Sequence, residues 1–360
     1  MNLKKSNIKE TLKYAGAFIA WVVGSGFATG QEILRFFASY GYASYGVVLL
    51  DLFGFLFFGQ IMLRTGFKHR EEKKFNHYCF YCGNKLGAIY SWLVPVILVL
   101  LMSVLISASG ATLSEYYGIN HYIGSAIMAI MVLGAYLVGF DKLVKIVAAA
   151  GPLIVVFALT TGTVTVFADF TNFNEISRNA EVLISARAAP NWALSAILYL
   201  SLTFLCGSTY YTALGRSAEN KKDITVGAVA GAVAVILVIL IMNTAILLNA
   251  GDTALLSVPT LYLAKKISYV LGAAFSVVLL LGTFSSCSAM MWSFCSKFFS
   301  EGDYRNRLIA VLTSVVTFII GLFSFRGLVG LLYPFFGYIG LIFIACVAYK
   351  GALRKKANIL

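Results

Sequence analysis

The chain has 360 residues, of which 60% are hydrophobic and 12% are charged. A water-soluble domain carries about 25% charged residues, so this composition excludes an ordinary soluble globule. The formal net charge of +13 does not indicate nucleic acid, because the basic residues lie in short connections between apolar runs, as orientation in a membrane requires. We therefore expect a membrane protein in contact with lipid, without a nucleic-acid partner.

Apolar runs long enough to cross about 30 Å of hydrocarbon recur along the chain. They predict an all-α membrane protein of ten transmembrane helices, called spans 1 to 10 here. The predicted ranges are Thr11–Ala38, Ala43–Thr65, Asn84–Ser114, His121–Gly139, Lys142–Phe167, Pro190–Gly215, Asp223–Asn249, Ile267–Phe299, Asn306–Ser324 and Leu328–Tyr349.

The distribution of Lys and Arg predicts the orientation. Of the 28 such residues, all but six lie in the two tails and in the connections after spans 2, 4, 6 and 8. The other side has Arg178, Arg187, Lys265, Lys266 and Arg326, and Arg35 lies inside span 1. Positive residues are enriched in cytoplasmic loops, so both termini are expected in the cytoplasm, with the protein in a bacterial cytoplasmic membrane.

The spans also repeat as a set. The starts of spans 6 to 10 reproduce the spacing of the starts of spans 1 to 5, and the third span of each half is the longest. Five is an odd number, so the second copy enters the membrane from the opposite side. The single transporter domain is thus predicted to consist of repeat one (11–167), an external connection (168–189), repeat two (190–349) and a cytoplasmic tail (350–360). Such inverted repeats are typical of secondary transporters, although ten similar helices can also give this spacing by chance.

Span 1 contains Gly24, Ser25 and Gly26 midway through the membrane. Each glycine lowers helix propensity by about 1 kcal/mol, so we expect the helix to be discontinuous there. Freed N–H groups at the start of its second half can bind a carboxylate, and freed carbonyl groups can bind a cation. The alternative is a close-packing glycine face, because Gly26 and Gly30 have the G-x-x-x-G spacing of packed membrane helices.

Span 6 has a polar stretch at the equivalent depth. Between Tyr199 and Tyr210 it contains Ser201, Thr203 and Gly207. Two interrupted helices in corresponding positions are the best sequence indication of a transporter substrate site. We therefore predict that spans 1 and 6 are both discontinuous and that the substrate binds between them.

Span 8 carries a hydroxyl cluster in mid-membrane, which requires polar partners. The hydroxyls of Ser285 and Ser286 and the carbonyl of Gly282 could join the carbonyls of Ala20 and Val23 in span 1. Hard cations take such oxygen ligands, so these residues form a candidate sodium site. Alternatively, the hydroxyls bond back to carbonyls one turn earlier and only bend the helix.

The stretch from Gly24 to Glu32, at the start of a ten-helix chain of this length, resembles the amino acid permease family of Gram-positive bacteria. That family lies within the amino acid–polyamine–organocation superfamily, which shares the five-plus-five inverted-repeat fold of the bacterial leucine transporter. The resemblance covers the whole helix layout, and its sharp motif is confined to span 1. The chain has no eleventh and twelfth helices, so dimerisation through them is not implied.

The resemblance assigns roles to two groups of residues. It implies a sodium site formed by the carbonyls of Ala20, Val23 and Gly282 and the hydroxyls of Ser285 and Ser286. It implies a substrate site formed by Gly24, Ser25, Gly26, Tyr199, Ser201 and Thr203. Span 6 departs from the glycine-rich motif of the leucine transporter. No cofactor is implied other than sodium as the coupling ion.

Ionisable residues inside membrane spans are functional candidates. Glu32 and Arg35 are three residues apart in span 1 and are expected to pair, either as a gate or in coupling. Asp51 in span 2 is an alternative proton carrier.

The sequence thus predicts a secondary active transporter, not an enzyme, that moves an amino acid or a similar small zwitterion by alternating access, coupled to sodium. The alternatives are a proton-coupled transporter of the same fold and a non-transporting nutrient sensor resembling germinant receptors. No ring of residues typical of a channel filter is visible.

Overall fold

The computed structural model describes residues 7–138, 150–299 and 303–356, and all regular elements in these ranges are helices. Nine of the helices in the described part are long and apolar enough to cross a membrane. They are Ser44–Lys68 (span 2), His77–Tyr117 (span 3), His121–Val138 (span 4), Ala150–Ala168 (span 5), Trp192–Arg216 (span 6), Lys221–Leu248 (span 7), Tyr269–Cys295 (span 8), Tyr304–Gly321 (span 9) and Phe325–Lys356 (span 10).

Span 1 falls outside this set because it is divided into three short helices. We call them segment 1a (Ile8–Val22), segment 1b (Ser25–Ala28) and segment 1c (Gln31–Phe36). The side of the molecule on which segment 1a begins is called the near side, and the opposite side is called the far side. Segment 1c and the start of span 2 lie at the far side.

The predicted bounds agree with the structure to within a few residues, except at the end of span 10, which continues to Lys356 instead of ending at Tyr349, and at the start of span 3. That helix begins at His77, but Gly83 has φ 76° and ψ 172°. This backbone conformation favours glycine and separates a short near-side turn from the membrane helix, which was predicted to begin at Asn84. The predicted end of span 4 and start of span 5 fall in 139–149, outside the described residues.

The exterior of the bundle is apolar. Val138 and Phe167 are each 79% exposed, and Phe53 and Leu331 are more than 60% exposed. Soluble monomers rarely expose continuous apolar surfaces of this kind. The protein is therefore a multi-pass membrane protein whose outer side chains face lipid.

The packing of the spans has an internal symmetry. Span 2 packs against span 6, and span 7 packs against segment 1a; likewise, span 3 contacts spans 9 and 10, and span 8 contacts spans 4 and 5. Spans 2 and 7, 3 and 8, and 4 and 9 pack against each other. If each span of the first half is exchanged with its counterpart in the second half (1 with 6, 2 with 7 and so on), every one of these contacts becomes a contact of the same set. A five-plus-five repeat requires this symmetry.

The far-side connections contain short helices that lie over the end of span 1. One connection includes Ile176–Val182 after span 5, and another includes Ala250–Thr253 and Pro259–Ile267 between spans 7 and 8. Glu115, near the far end of span 3, accepts hydrogen bonds from the backbone N–H groups of Ser257 (2.6 Å) and Val258 (3.0 Å). This carboxylate fixes the start of Pro259–Ile267, where helix N–H groups lack internal partners.

Candidate functional site

Span 1 is interrupted where its glycines predicted. The last hydrogen bond of segment 1a runs from the Val23 N–H to the Ile19 carbonyl (2.8 Å), and the ladder resumes with Ala28 N–H to the Gly24 carbonyl (3.0 Å). Val23 has φ −85° and ψ 57°, outside the helical region. In the described chain no backbone N–H bonds the carbonyl of Ala20 or Val23. The prediction of a discontinuous span 1 is confirmed.

A second break at Gly30 separates segments 1b and 1c. Gly30 has φ 85°, and a Cβ atom there would lie 2.8 Å from Cγ2 of Thr260. The carbonyls freed by this break have partners on the far side. The Thr260 hydroxyl donates to the Ala28 carbonyl (2.5 Å), and the Thr29 hydroxyl donates to the Gly26 carbonyl (2.7 Å). Segment 1b is thus attached to the far-side helix Pro259–Ile267.

The prediction that span 6 is discontinuous is wrong. Trp192–Arg216 is one unbroken helix. The Ser201 hydroxyl bonds back to the Ile197 carbonyl (2.6 Å), and the Ser208 hydroxyl bonds back to the Leu205 carbonyl (2.9 Å). The polar groups therefore find partners on their own helix, as short hydroxyl side chains often do, and a single glycine does not break it.

Gly207 has a packing role instead. A Cβ atom at Gly207 would collide with the indole of Trp21 in segment 1a. The Trp21 ring stacks on Tyr210 with centroids 5.2 Å apart, and its Nε1–H donates to the Thr203 carbonyl (3.3 Å). The Tyr210 hydroxyl donates to the Ala17 carbonyl (3.0 Å). The near half of span 1 is therefore attached to span 6 just below the break.

The remaining predicted substrate residues have different surroundings. Gly24 is half-buried, and Gly26 is buried; the side chain of Ser25 lies outside the description. Ser201 is fully buried against span 10, where a Cβ atom at Gly340 would lie 3.0 Å from the Ser201 Cβ. Thr203 is half-buried beside Trp21. Gly24, Gly26 and Thr203 therefore lie at the break, whereas Ser201 faces span 10.

The predicted sodium ligands lie on elements that meet. Span 8 packs against segment 1b and against span 5. Ser285 and Ser286 are half-buried, and in the described part of the chain their hydroxyls make no hydrogen bond within the protein. Gly282 and Val23 are buried, and Ala20 is exposed beside Gly151 of span 5. By contrast, the Thr283 hydroxyl bonds back to the Leu279 carbonyl (2.9 Å).

An acidic group lies directly against the break. The Glu32 carboxylate folds back from segment 1c onto Gly26, where a Cβ atom would collide with Glu32 Oε1 and lie 2.8 Å from the Tyr333 hydroxyl. The Tyr333 hydroxyl lies on the same side of Gly26 as the Glu32 carboxylate, and Tyr199 packs against Phe36 in the next turn of segment 1c. Glu32 is half-buried, whereas both tyrosines are at most 4% exposed. Gly26 is therefore required for the approach of Glu32 and Tyr333.

Arg35 does not pair with Glu32, contrary to the prediction. No ion pair joins these two residues in the ranges that the structure describes. The Arg35 guanidinium instead donates to the carbonyls of Arg326 (2.7 Å) and Ala186 (3.4 Å) and to the Gln31 side chain (3.3 Å). It lies against Gly330 of span 10. Arg35 therefore links span 1 to span 10 and to the connection before span 6.

Further hydrogen bonds reinforce this link. The Gln31 amide donates to the Leu256 carbonyl (2.6 Å), and the Ser195 hydroxyl donates to the Phe36 carbonyl (2.8 Å). The Tyr40 hydroxyl donates to the Ala189 carbonyl (2.6 Å). We call the layer formed by Arg35, Gln31 and Tyr40 with their partners the far-side seal. It closes the far side above Glu32.

Sequence reasoning missed Trp21, Tyr333 and Thr260. Aromatic side chains are frequent throughout this chain, and nothing in the pattern distinguishes Trp21 or Tyr333 from those that face lipid. Thr260 follows Pro259 in a connection that sequence reasoning treated as a loop. Pro259 indicates the start of a helix, because proline is favoured at the first helical position. The contact of Thr260 with span 1, however, depends on the folded chain and cannot be read from the sequence.

The fold, with its interrupted first span, is similar to that of several membrane proteins of known structure. The structure resembles Mhp1 in an inward-facing conformation, with a TM-score of 0.63, 13% identity, and coverage of 96% of this chain and 77% of Mhp1. It also resembles MhsT in complex with L-phenylalanine (TM-score 0.61, 15% identity, coverage of 91% and 81%). A manganese transporter of Eremococcus coleocola gives a TM-score of 0.57 at 13% identity, with coverage of 95% and 78%. These structural neighbours are transporters, not enzymes.

Two proteins of Bacillus subtilis (strain 168) are similar in sequence over nearly the whole chain. The uncharacterized membrane protein YkvI is 24% identical over 353 residues, which is 95% of this chain and 96% of YkvI. The uncharacterized protein YyaD is 22% identical over 344 residues, with coverage of 96% and 98%. No family model matches the chain. The chain therefore has the fold of secondary transporters.

Proposed function

We propose that this protein is a secondary active transporter that moves an amino acid or a similar small zwitterion by alternating access. The observation that carries the proposal is the break in span 1, which lies between the far-side seal and the contact of Trp21 with span 6. Backbone polar groups inside a membrane are tolerated where they line a cavity or are buried in protein. On the far side of the break, segments 1b and 1c are attached to the far-side elements, and on the near side segment 1a is attached to span 6. If one of these attachments is released while the other is kept, the break opens to one side of the membrane at a time.

The class of substrate follows from the groups at the break. Segment 1b presents the N–H groups of a helix start, which favour a carboxylate. Glu32 lies against Gly26 and can accept an ammonium group. A zwitterion satisfies both, and the likeness to MhsT in complex with L-phenylalanine supports this class. Among the residues described, no group of three His, Cys, Asp or Glu side chains could hold a metal ion, so a manganese substrate is less favoured.

Coupling to sodium is supported by the free carbonyls of Ala20 and Val23 and by the unbonded hydroxyls of Ser285 and Ser286. These groups, with the Gly282 carbonyl, would hold the ion between segment 1a and span 8. Hard cations prefer such oxygen ligands. We place the near side in the cytoplasm of a bacterial cell, with both termini there, because of the bias of Lys and Arg.

The test is uptake of a radiolabelled amino-acid panel into proteoliposomes that contain the full chain. Uptake is measured with an inward sodium gradient, with an inward proton gradient and with neither. We expect concentrative uptake driven by sodium. The Ser285→Ala variant should lose this drive, whereas Thr283→Ala should keep it because the Thr283 hydroxyl bonds to its own helix.

Two results would contradict the proposal in different ways. Uptake driven by protons alone, unchanged in Ser285→Ala, would remove the sodium site and leave a proton-coupled transporter. Stabilisation by an amino acid against thermal unfolding, without uptake of any compound in the panel, would favour the nutrient sensor.

A further inference from the structure

Asp51 is a buried carboxyl group without a partner. It lies in span 2 and is 0% exposed. In the described part of the molecule neither carboxylate oxygen accepts a hydrogen bond, and no ion pair reaches the side chain. An unpaired buried charge costs several kcal/mol, so such a group is generally neutral or acquires a partner in another state. Neither the sodium site nor the substrate site proposed above uses Asp51.

The face of span 2 that carries Asp51 lies against Tyr199 of span 6. Gly54 and Phe55, one helical turn after Asp51, point to the same side. A Cβ atom at Gly54 would lie 2.6 Å from Cδ2 of Leu200, and the ring centroids of Phe55 and Tyr199 are 6.4 Å apart. Asp51, one helical turn before Phe55, therefore lies on the side of span 2 that faces Tyr199.

Tyr199 also contacts the segment that carries the other acidic group. Its ring packs against Phe36, in the helical turn after Glu32, with centroids 5.4 Å apart, and against Phe55, in the turn after Asp51, so Tyr199 lies between the segments that carry Glu32 and Asp51. The exposure of the three groups falls in order, because Glu32 is half-buried, Tyr199 is 1% exposed and Asp51 is 0% exposed. Glu32 is therefore the most exposed of the three side chains.

In the described ranges, the groups that the elements packed around span 2 present to this region are uncharged. Span 6 contributes the phenols Tyr199 and Tyr211, and span 10 contributes Tyr333. Span 7 contributes Asn243, whose amide donates to Ser44 (2.9 Å) and which does not titrate. Arg35, the nearby cation of span 1, is bonded to carbonyl groups of the far-side seal. Among the described residues no basic side chain forms an ion pair with Asp51.

We propose that Asp51 is a proton-binding site of this transporter and that Tyr199 passes the proton between Asp51 and Glu32. The proposal adds a second ion to the proposed transport function and rests on that function for its role in coupling. The relevant geometry is the row of Glu32, Tyr199 and Asp51 across spans 1, 6 and 2, beside the break.

The proton step is balanced without any other reactant. When Glu32 is protonated and Asp51 is ionised, the Glu32 O–H donates its proton to the Tyr199 oxygen. The Tyr199 O–H bond breaks as its proton moves to Asp51, so the phenol stays neutral. One negative charge moves from Asp51 to Glu32, and the reverse sequence returns the proton. Asp51 has no hydrogen bond in this structure, so the transfer requires Tyr199 to turn towards span 2.

The far-side seal controls access to this row. Arg35 lies one helical turn beyond Glu32 towards the far side and is held by the Arg326 carbonyl. While these hydrogen bonds remain, Glu32 cannot exchange protons with the far side. Opening of the seal exposes Glu32 there, and Asp51 then loads or releases its proton through Tyr199. Proton binding is thus coupled to the same movement that opens the substrate site.

The first experiment detects the proton directly by infrared difference spectroscopy of the full-length protein in lipid. We expect a carbonyl-stretch band of a protonated carboxylic acid that is lost in Asp51→Asn. The control Asp223→Asn, which changes a buried acid that is bonded to the Asn7 N–H, should retain the band. Persistence of the band in Asp51→Asn would overturn the assignment. This readout does not depend on transport, so it separates failure of the proton site from failure of the proposed function.

The second experiment tests the role of Tyr199. We expect Tyr199→Phe to retain the infrared band but to slow its hydrogen–deuterium exchange at least tenfold. The control Tyr116→Phe removes a hydroxyl that bonds to the Tyr269 carbonyl far from the row, and exchange should be unchanged. Equal exchange rates in wild type and Tyr199→Phe would exclude the relay.

The third experiment links the site to coupling. Internal acidification during substrate uptake is followed with a pH-sensitive dye inside proteoliposomes. We expect Asp51→Asn to abolish acidification while exchange of labelled for unlabelled substrate continues. Acidification in Asp51→Asn equal to wild type would contradict a role of Asp51 in coupling.

Discussion

Spans 1 and 6 occupy equivalent positions in the two halves of the molecule, but the chain is broken in one and continuous in the other. Both carry glycine and hydroxyl residues in mid-membrane. In span 1 the Ala28 carbonyl, freed at the Gly30 break, accepts a hydrogen bond from the Thr260 hydroxyl of another element, whereas no backbone N–H of the described chain bonds the carbonyls of Ala20 and Val23. In span 6 the hydroxyls of Ser201 and Ser208 bond to their own helix.

The difference shows what maintains a break in a membrane helix. Glycine lowers the free energy needed to unwind the helix, but unwound polar groups in a membrane must be satisfied elsewhere. Span 1 has two such glycines close together and a far-side helix that supplies a donor. Span 6 has Gly207 alone, and the space beside it is filled by Trp21. The movable parts of this protein are therefore expected in span 1.

The largest effect is expected from Gly26→Ala. A Cβ atom there would collide with the Glu32 carboxylate and lie 2.8 Å from the Tyr333 hydroxyl. Overpacking of this kind costs up to about 3 kcal/mol, which corresponds to a loss of uptake of about 100-fold. The matched control is Gly16→Ala in segment 1a, whose Cβ would meet no heavy atom within 4 Å. Equal uptake by the two variants would show that the space at Gly26 is unimportant.

A smaller effect is expected from Arg35→Lys. Lysine keeps the charge but cannot bond the Arg326 and Ala186 carbonyls and Gln31 together. The loss of about 2 kcal/mol should increase the population with an open far side roughly 30-fold. Distances between spin labels at Tyr42 and Phe323 would measure this population. The control is Arg326→Gln, because Arg35 bonds to the backbone carbonyl of Arg326, which this substitution keeps. A similar change of the spin-label distances in both variants would argue against the far-side seal.

The smallest effect is expected from Thr260→Val, which keeps the shape but removes the hydroxyl bonded to the Ala28 carbonyl. An unsatisfied buried carbonyl costs about 1 kcal/mol or more, so amide hydrogen exchange in segment 1b should accelerate about fivefold. Ser201→Ala should change exchange in span 6 far less, because its hydroxyl bonds within an intact helix. If the two substitutions accelerated exchange equally in their own spans, the hydrogen bond from Thr260 to the Ala28 carbonyl would not explain the break at Gly30.

The helical fold and the position of the break could be predicted from the sequence. Long apolar runs have few alternatives in a membrane, and the Gly24–Gly26 run has no counterpart elsewhere in span 1. The kink at Gly83 likewise falls at the predicted start of span 3. These features depend on local sequence, which explains why they could be recognised.

The parts that could not be predicted depend on contacts between distant elements. The continuity of span 6 depends on where the Ser201 and Ser208 hydroxyls point. The expected pairing of Glu32 with Arg35 is wrong because both side chains find partners on other spans, Tyr333 for one and the Arg326 carbonyl for the other. Helical spacing places Glu32 and Arg35 close together on one face. It does not show whether other spans offer these side chains more favourable partners.

The carboxylate of Glu115 has a mechanical consequence. It fixes the N–H groups of Ser257 and Val258 to the end of span 3, and Thr260, two residues further along, is bonded to segment 1b. The four consecutive residues 257–260 thus act as a short tether between the far end of span 3 and segment 1b. Such a tether has almost no slack. Segment 1b can therefore move away from span 3 only if the anchor at Glu115 or the bond from Thr260 breaks first, which makes release abrupt, not gradual.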